Sequence, residues 1–142
     1  MATRSKIQLN YGVSKIELYR HWDGYLAEGG RELSILLNHY KTSADLIKGL
    51  INRQREIHVY DIDAPLYEIA WHPDMGEEYR YIINLPTFAD DKNASLSVEV
   101  LHAPYGKEWK SIYKKTGKPE EVKKDFLKLC DDEYWKLKRR AG

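Results

Sequence analysis

Two runs of alternating polar and apolar residues stand near the start of the chain, Lys6-Ile7-Gln8-Leu9 and Lys15-Ile16-Glu17-Leu18-Tyr19, with Asn10-Tyr11-Gly12 between them. A period of two sends one face of a strand into a core and the other into water, and Asn and Gly favour turns, so the segment is expected to form a β-hairpin. A lone hairpin is barely stable in water, so further strands or helices must cover its apolar face. The same pattern returns in the middle of the chain. Tyr79 to Leu85 is the strongest strand candidate, and 95–101 places Leu96, Val98 and Val100 opposite Ser97 and Glu99. Shorter candidates lie at 57–60 and 66–71, and Pro73-Asp74-Met75-Gly76 and Asp90-Asp91-Lys92-Asn93 read as turns. Short connections of this kind favour an antiparallel meander.

Helical spacing appears in three places. Leu33, Leu36, Leu37 and Tyr40 predict a helix over 31–41, and Leu46, Ile47, Leu50 and Ile51 predict a second over 43–53, with Thr42-Ser43 as its N-terminal cap. Pro119-Glu120-Glu121 suits the first turn of a last helix over 119–138, where carboxylates meet the positive end of the dipole and Lys136 to Arg140 meet the negative end. Residues 107–115 fit either a helix, through Trp109, Ile112 and Tyr113, or a strand. The chain is 142 residues long, enough for one self-supporting core, and shows no repeat or linker. The expected fold is therefore α+β: a single domain, with an antiparallel sheet opened by a β-hairpin, a helix pair after it and a C-terminal helix.

Charge is unevenly placed. Residues 1–54 hold eight basic and five acidic groups, 55–106 three and ten, and 107–142 twelve and seven. Such segregation can orient a partner, but it marks no nucleic-acid-binding surface, so no sequence-specific nucleic-acid binding is expected. The first ten residues hold no signal-like apolar run, and no stretch approaches the length needed to span a membrane. Cys130 is the sole cysteine, which fits a reducing compartment, and its place in a helical, acidic context marks it as a buried, unreactive thiol.

The chemistry-bearing residues concentrate at His21-Trp22-Asp23-Gly24-Tyr25. Two readings stand. As a ligand site, Trp22 and Tyr25 would stack on a base while Arg20, Arg31 and His39 met phosphate, with His21 and Asp23 completing the pocket. As a joint, Asp23 would bond backbone amides, Gly24 would take a positive φ, and the rings would plug the core. Gly29-Gly30 likewise suits an anion-facing or merely flexible helix entry. The histidines lack zinc spacing, no nucleophile motif is present, and neither a cofactor nor a catalytic residue is assigned.

Three pieces of the chain resemble a group of small accessory proteins encoded by bacteriophages and prophages. They are Met1-Ala2-Thr3-Arg4-Ser5-Lys6-Ile7, then Tyr19-Arg20-His21-Trp22-Asp23-Gly24-Tyr25, and Gly30-Arg31-Glu32-Leu33 with Asn38-His39-Tyr40. The resemblance covers about the first forty residues and implies a phage accessory gene product in the host cytoplasm, with no reaction attached; by analogy with other small phage accessory proteins, a counter-defence role is expected. The function expected from it is sequestration of a small nucleotide-type signal. The alternatives are a protein-binding inhibitor of a host defence nuclease or complex, and a nucleotide-modifying or phosphodiesterase-like enzyme using His21, Asp23 and His39. A homodimer is also expected, because a small binding protein often builds its pocket between copies.

Overall fold

The computed structural model describes residues 3–51, 67–70, 72–87, 94–104 and 107–141. The strands are β1 (Ser5–Tyr11), β2 (Ser14–Arg20), β3 (Glu68–Ile69), β4 (Tyr79–Leu85), β5 (Leu96–His102) and β6 (Lys110–Gly117). The α-helices are α1 (Arg31–His39), α2 (Ser43–Ile51) and α3 (Pro119–Ala141), and a π-helical turn, Leu26–Gly30, leads into α1. The expected strand at 57–60, the turn at 90–93 and the end of the second predicted helix lie outside the described residues.

The six strands form one sheet in the order β3-β2-β1-β4-β5-β6. The opening hairpin is present, with Tyr11 opposite Ser14 and Gly12 at φ 62°, so Asn10 and Tyr11 extend β1 and the turn falls on Gly12-Val13. The meander prediction describes β4, β5 and β6, which are antiparallel neighbours. It does not describe the centre, where β1 and β4 run parallel. Parallel neighbours need a long crossover, and the chain between them carries β2 and the α1–α2 pair. Residues 110–117 are a strand: pairing with β5 satisfies their backbone, and Tyr113 packs its ring against Phe126 of α3 at 5.7 Å.

Alternation sets the core. Ile7, Leu9, Leu18, Tyr81, Ile83, Val98 and Val100 point to one face of the sheet and form one cluster with Leu33 and Leu37 of α1, Leu50 of α2, and Val122, Phe126 and Cys130 of α3. Cys130 is the buried thiol expected: burial, opposed by a Ser34 hydrogen bond and helped by the Asp131 and Glu133 carboxylates, pushes it up to about 12. On the opposite face, Lys6 is nearly sealed between Glu17 at 3.1 Å and Glu77 at 3.5 Å, and Glu77 also meets Arg80 at 3.1 Å. Burial alone would raise the Glu77 carboxyl, but amide donors, Arg80 and Lys6 outweigh it and hold the group low.

Tyr81, at the centre of the sheet, joins these layers. Its ring is 1% exposed and its hydroxyl donates to the Gly24 carbonyl at 2.7 Å. Gly24 in turn donates its amide to the Thr3 carbonyl, and Gly29 donates to the Asp23 carbonyl at 2.7 Å. These backbones are so close that a Cβ on Gly24 would lie 2.6 Å from Ser5 Cβ, and one on Gly29 would lie 2.8 Å from the Asp23 carbonyl oxygen. Gly24→Ala is therefore expected to destabilise the protein by about 2–3 kcal/mol through overpacking. Gly117→Ala, whose added carbon meets only Val122 at 3.8 Å, should stay within about 0.5 kcal/mol of wild type. Urea denaturation of both variants checks the contrast, and equal losses would contradict it.

Candidate functional site

The turn after β2 is built by the backbone contacts just described, and its side chains are largely engaged with one another. Arg20 is nearly buried. Its Nε donates to the Trp22 carbonyl at 2.6 Å, its guanidinium meets Glu32 at 2.7 Å, and the Tyr67 ring lies 5.8 Å away. His21 is half-buried, shares a 2.7 Å hydrogen bond with the Tyr19 hydroxyl and meets the Trp22 ring edge-on at 4.6 Å. Trp22 is 41% exposed, so it does not plug the core. The positive φ falls on Asp23, at 54°, and not on Gly24, whose missing Cβ serves close packing instead. Asp23 is exposed and Tyr25 half-buried, with burial first and then Asp23 and Glu28 raising the Tyr25 phenol.

The remaining expected ligands point elsewhere. Arg31 binds Asp131 of α3 at 2.8 Å and lies 4.1 Å over the Tyr134 ring, so it ties two helices together. Gly29 and Gly30 are buried in the π-helical turn and are not a flexible entry. His39 ends α1, seven residues past Glu32, or about 10 Å along the helix. The structure thus gathers Arg20, His21, Trp22, Asp23 and Tyr25 in one turn and leaves His39 at the far end of α1. A shallow hollow of about 250 Å³ beside the turn is lined by Ala27, Glu28, Arg31, Glu32, Ile35 and Leu36. Its one cation is held by Asp131 and two carboxylates face it, which disfavours an anionic ligand there.

A more receptive cleft lies at the opposite end of β4, about 20 Å away along a seven-residue strand. It has a volume of about 270 Å³ and sits where the α1–α2 joint, the end of β4 and the start of α3 meet. Leu37, Leu46, Leu85 and Leu96 supply apolar walls, Tyr40 supplies a ring, and Lys41, Lys118 and Lys123 supply cations. Each lysine has a local origin. Lys41 precedes the Thr42 cap, whose hydroxyl accepts the Asp45 amide at 3.1 Å, and Lys118 precedes the Pro119 that opens α3. Lys123 stands on the first turns of α3 and donates to the Tyr40 carbonyl at 3.3 Å. Ser43 is anchored to the Pro86 carbonyl at 2.7 Å, which fixes the joint to the sheet.

Electrostatics there favour an anion. Among the described residues, no ion pair joins any of the three lysines and Glu120 is the one carboxylate on the wall. Burial lowers the Lys123 ammonium, with Glu120 opposing only in part. A half-desolvated cation short of counter-charge is the group that gains most from an arriving anion. Sequence reasoning missed these lysines because each looks like an ordinary solvated charge near a helix end. The basic excess of 107–142 hinted at two of them, Lys118 and Lys123.

The packing makes a ranking testable. Arg20→Ala should cost about 3 kcal/mol or more, because it removes a buried ion pair and strands the Trp22 carbonyl. Trp22→Ala should cost about 1–2 kcal/mol, below the value for a fully buried ring, since much of the indole is already in water. Thermal or urea denaturation checks the order, and a larger loss for Trp22→Ala would contradict it.

No protein-family model, curated protein or solved structure matches this chain.

Proposed function

We propose that the protein binds and sequesters a small phosphate-bearing ligand of nucleotide type, held in the cleft of Lys41, Lys118 and Lys123, and that it acts as a phage accessory protein against a host defence signal. The observation that carries the reading is the pairing of apolar walls with three lysine ammoniums in one cleft. Apolar walls and the Tyr40 ring suit a base or other planar body, and the ammoniums suit a phosphate. The cleft is small for a ligand pocket, which favours a single nucleotide unit over an extended chain. Sequestration needs only affinity, so no base or nucleophile has to be placed beside the phosphate. The counter-defence role rests on the resemblance of the first forty residues and adds the biological setting of a soluble signal.

Calorimetric titration with nucleoside mono- and diphosphates, with the bare nucleoside, and with inorganic phosphate tests the reading. The nucleotide should bind, and the nucleoside and phosphate alone should each bind about tenfold or more weakly, since each engages half the cleft. Lys118→Met and Lys123→Met should each lower affinity about tenfold while leaving the melting temperature near wild type. Burial depresses the Lys123 pKa, so this group loses its proton earlier than an ordinary lysine as pH rises. Affinity should therefore fall on the alkaline side sooner than the titration of an exposed lysine would give. Binding that is absent, or unchanged in both variants, would contradict the proposal.

A further inference from the structure

The sheet has two edges, and they differ. β3 offers two residues, whereas β6 offers eight, six of them exposed. β5 pairs with one side of β6, and no described strand pairs with the other. Alternate amides and carbonyls along β6 therefore face outward, which is the template on which another strand can add. Helix α3 does not remove it, because α3 packs on the face of the sheet through Tyr113 and Phe126. The register shift opposite Val100/Leu101 leaves Ile112 as an extra residue, 46% exposed, so regular pairing is available from Tyr113 to Gly117 with an apolar side chain at its start.

The edge is also charged in one sign. Lys110, Lys114 and Lys115 lie on β6, no acidic residue does, and none of the three forms an ion pair among the described residues. Lys114 stands on the open face of the sheet, opposite Glu99, whose Oε2 is already taken by the Ser111 hydroxyl at 2.9 Å. Lys115, opposite Val98, points to the other face. A second copy of this strand would set lysines against lysines, and like charges across a strand pair are destabilising. Lysines on an edge discourage neutral or basic strands but reward an acidic one.

We propose that the free edge of β6 receives an extended acidic segment of a partner protein as a seventh strand. Two adjacent carboxylates, one on each face, would meet Lys114 and Lys115, and β-branched neighbours would cover Ile112 and Tyr113. Main-chain hydrogen bonds supply the affinity and the lysines supply the choice of strand. The edge ends at Gly117, beside Lys118 of the cleft, but Lys110, Lys114 and Lys115 do not line the cleft, so the two proposals are tested on different residues.

Amide hydrogen exchange on the full chain tests this with the synthetic peptide Thr-Val-Glu-Glu-Val-Thr and its counterpart Thr-Val-Lys-Lys-Val-Thr. The acidic peptide should slow exchange at alternate amides within 112–117, and the basic peptide should not. The double variant Lys114→Glu/Lys115→Glu should bind the acidic peptide about tenfold less tightly and take the basic one instead. If that variant melts early, Lys114→Gln/Lys115→Gln replaces it and should lose the acidic peptide without gaining the other. Four results would overturn the proposal: no protection by the acidic peptide, protection centred elsewhere, equal protection by a short single-stranded oligonucleotide, or protection that grows with protein concentration alone.

Discussion

The contact on which the rest of this fold depends is the hydrogen bond from the Tyr81 hydroxyl to the Gly24 carbonyl. It sits where sheet, turn and helices meet. Above it the π-helical turn folds back so that the Gly29 amide reaches Asp23. Beside it, the Gly30 position lies close to both the Tyr81 hydroxyl and the Cys130 thiol of α3. Burial raises the Tyr81 phenol well above its ordinary range, so the group remains a neutral donor. The joint also explains the density of unusual residues at 21–30. Close backbone packing demands glycine, a left-handed residue suits Asp, and the buried arginine needs Glu32 beside it.

That joint determines where free charge remains. Arg20, Arg31, Lys6 and Arg80 all look available in the sequence, yet each is engaged: with Glu32, with Asp131, with Glu17 and Glu77, and with Glu77 and the Trp109 ring. Their role is to hold elements together. Among the described residues, the lysines at the other end of the sheet have no such partner, and they surround an apolar hollow. The hollow near the turn is lined by Glu28 and by Glu32, which already holds Arg20, whereas the described wall of the cleft beside Lys123 carries three ammoniums and one carboxylate. The proposed function follows from this difference in local field.

Much of the fold was legible in the sequence because period-two and helical patterns are local. The hairpin, β4, β5 and the three α-helices all stand within a few residues of where alternation and capping place them. The parallel β1–β4 pair was not legible, since the pairing of distant strands depends on how α1 and α2 cross the sheet. Residues 107–115 fit either a helix or a strand in the sequence, and pairing with β5 makes 110–117 a strand. At the site, sequence reasoning found a real feature in His21–Tyr25 but could not see that Glu32 and Asp131 would claim its arginines across 12 and 100 residues. It missed Lys41, Lys118 and Lys123 for the same reason, as only the tertiary fold brings them to one cleft.

The central claim is that the aromatic turn after β2 is architecture and that ligand chemistry belongs to the lysine cleft. Amide-resolved NMR during titration with a nucleoside monophosphate tests it most directly, because the two places lie at opposite ends of β4. The account predicts the largest shifts at 40–43, around Leu96 and at 118–123, with 21–25 nearly still. Largest shifts at 21–25, or none in the cleft at saturating nucleotide, would contradict it.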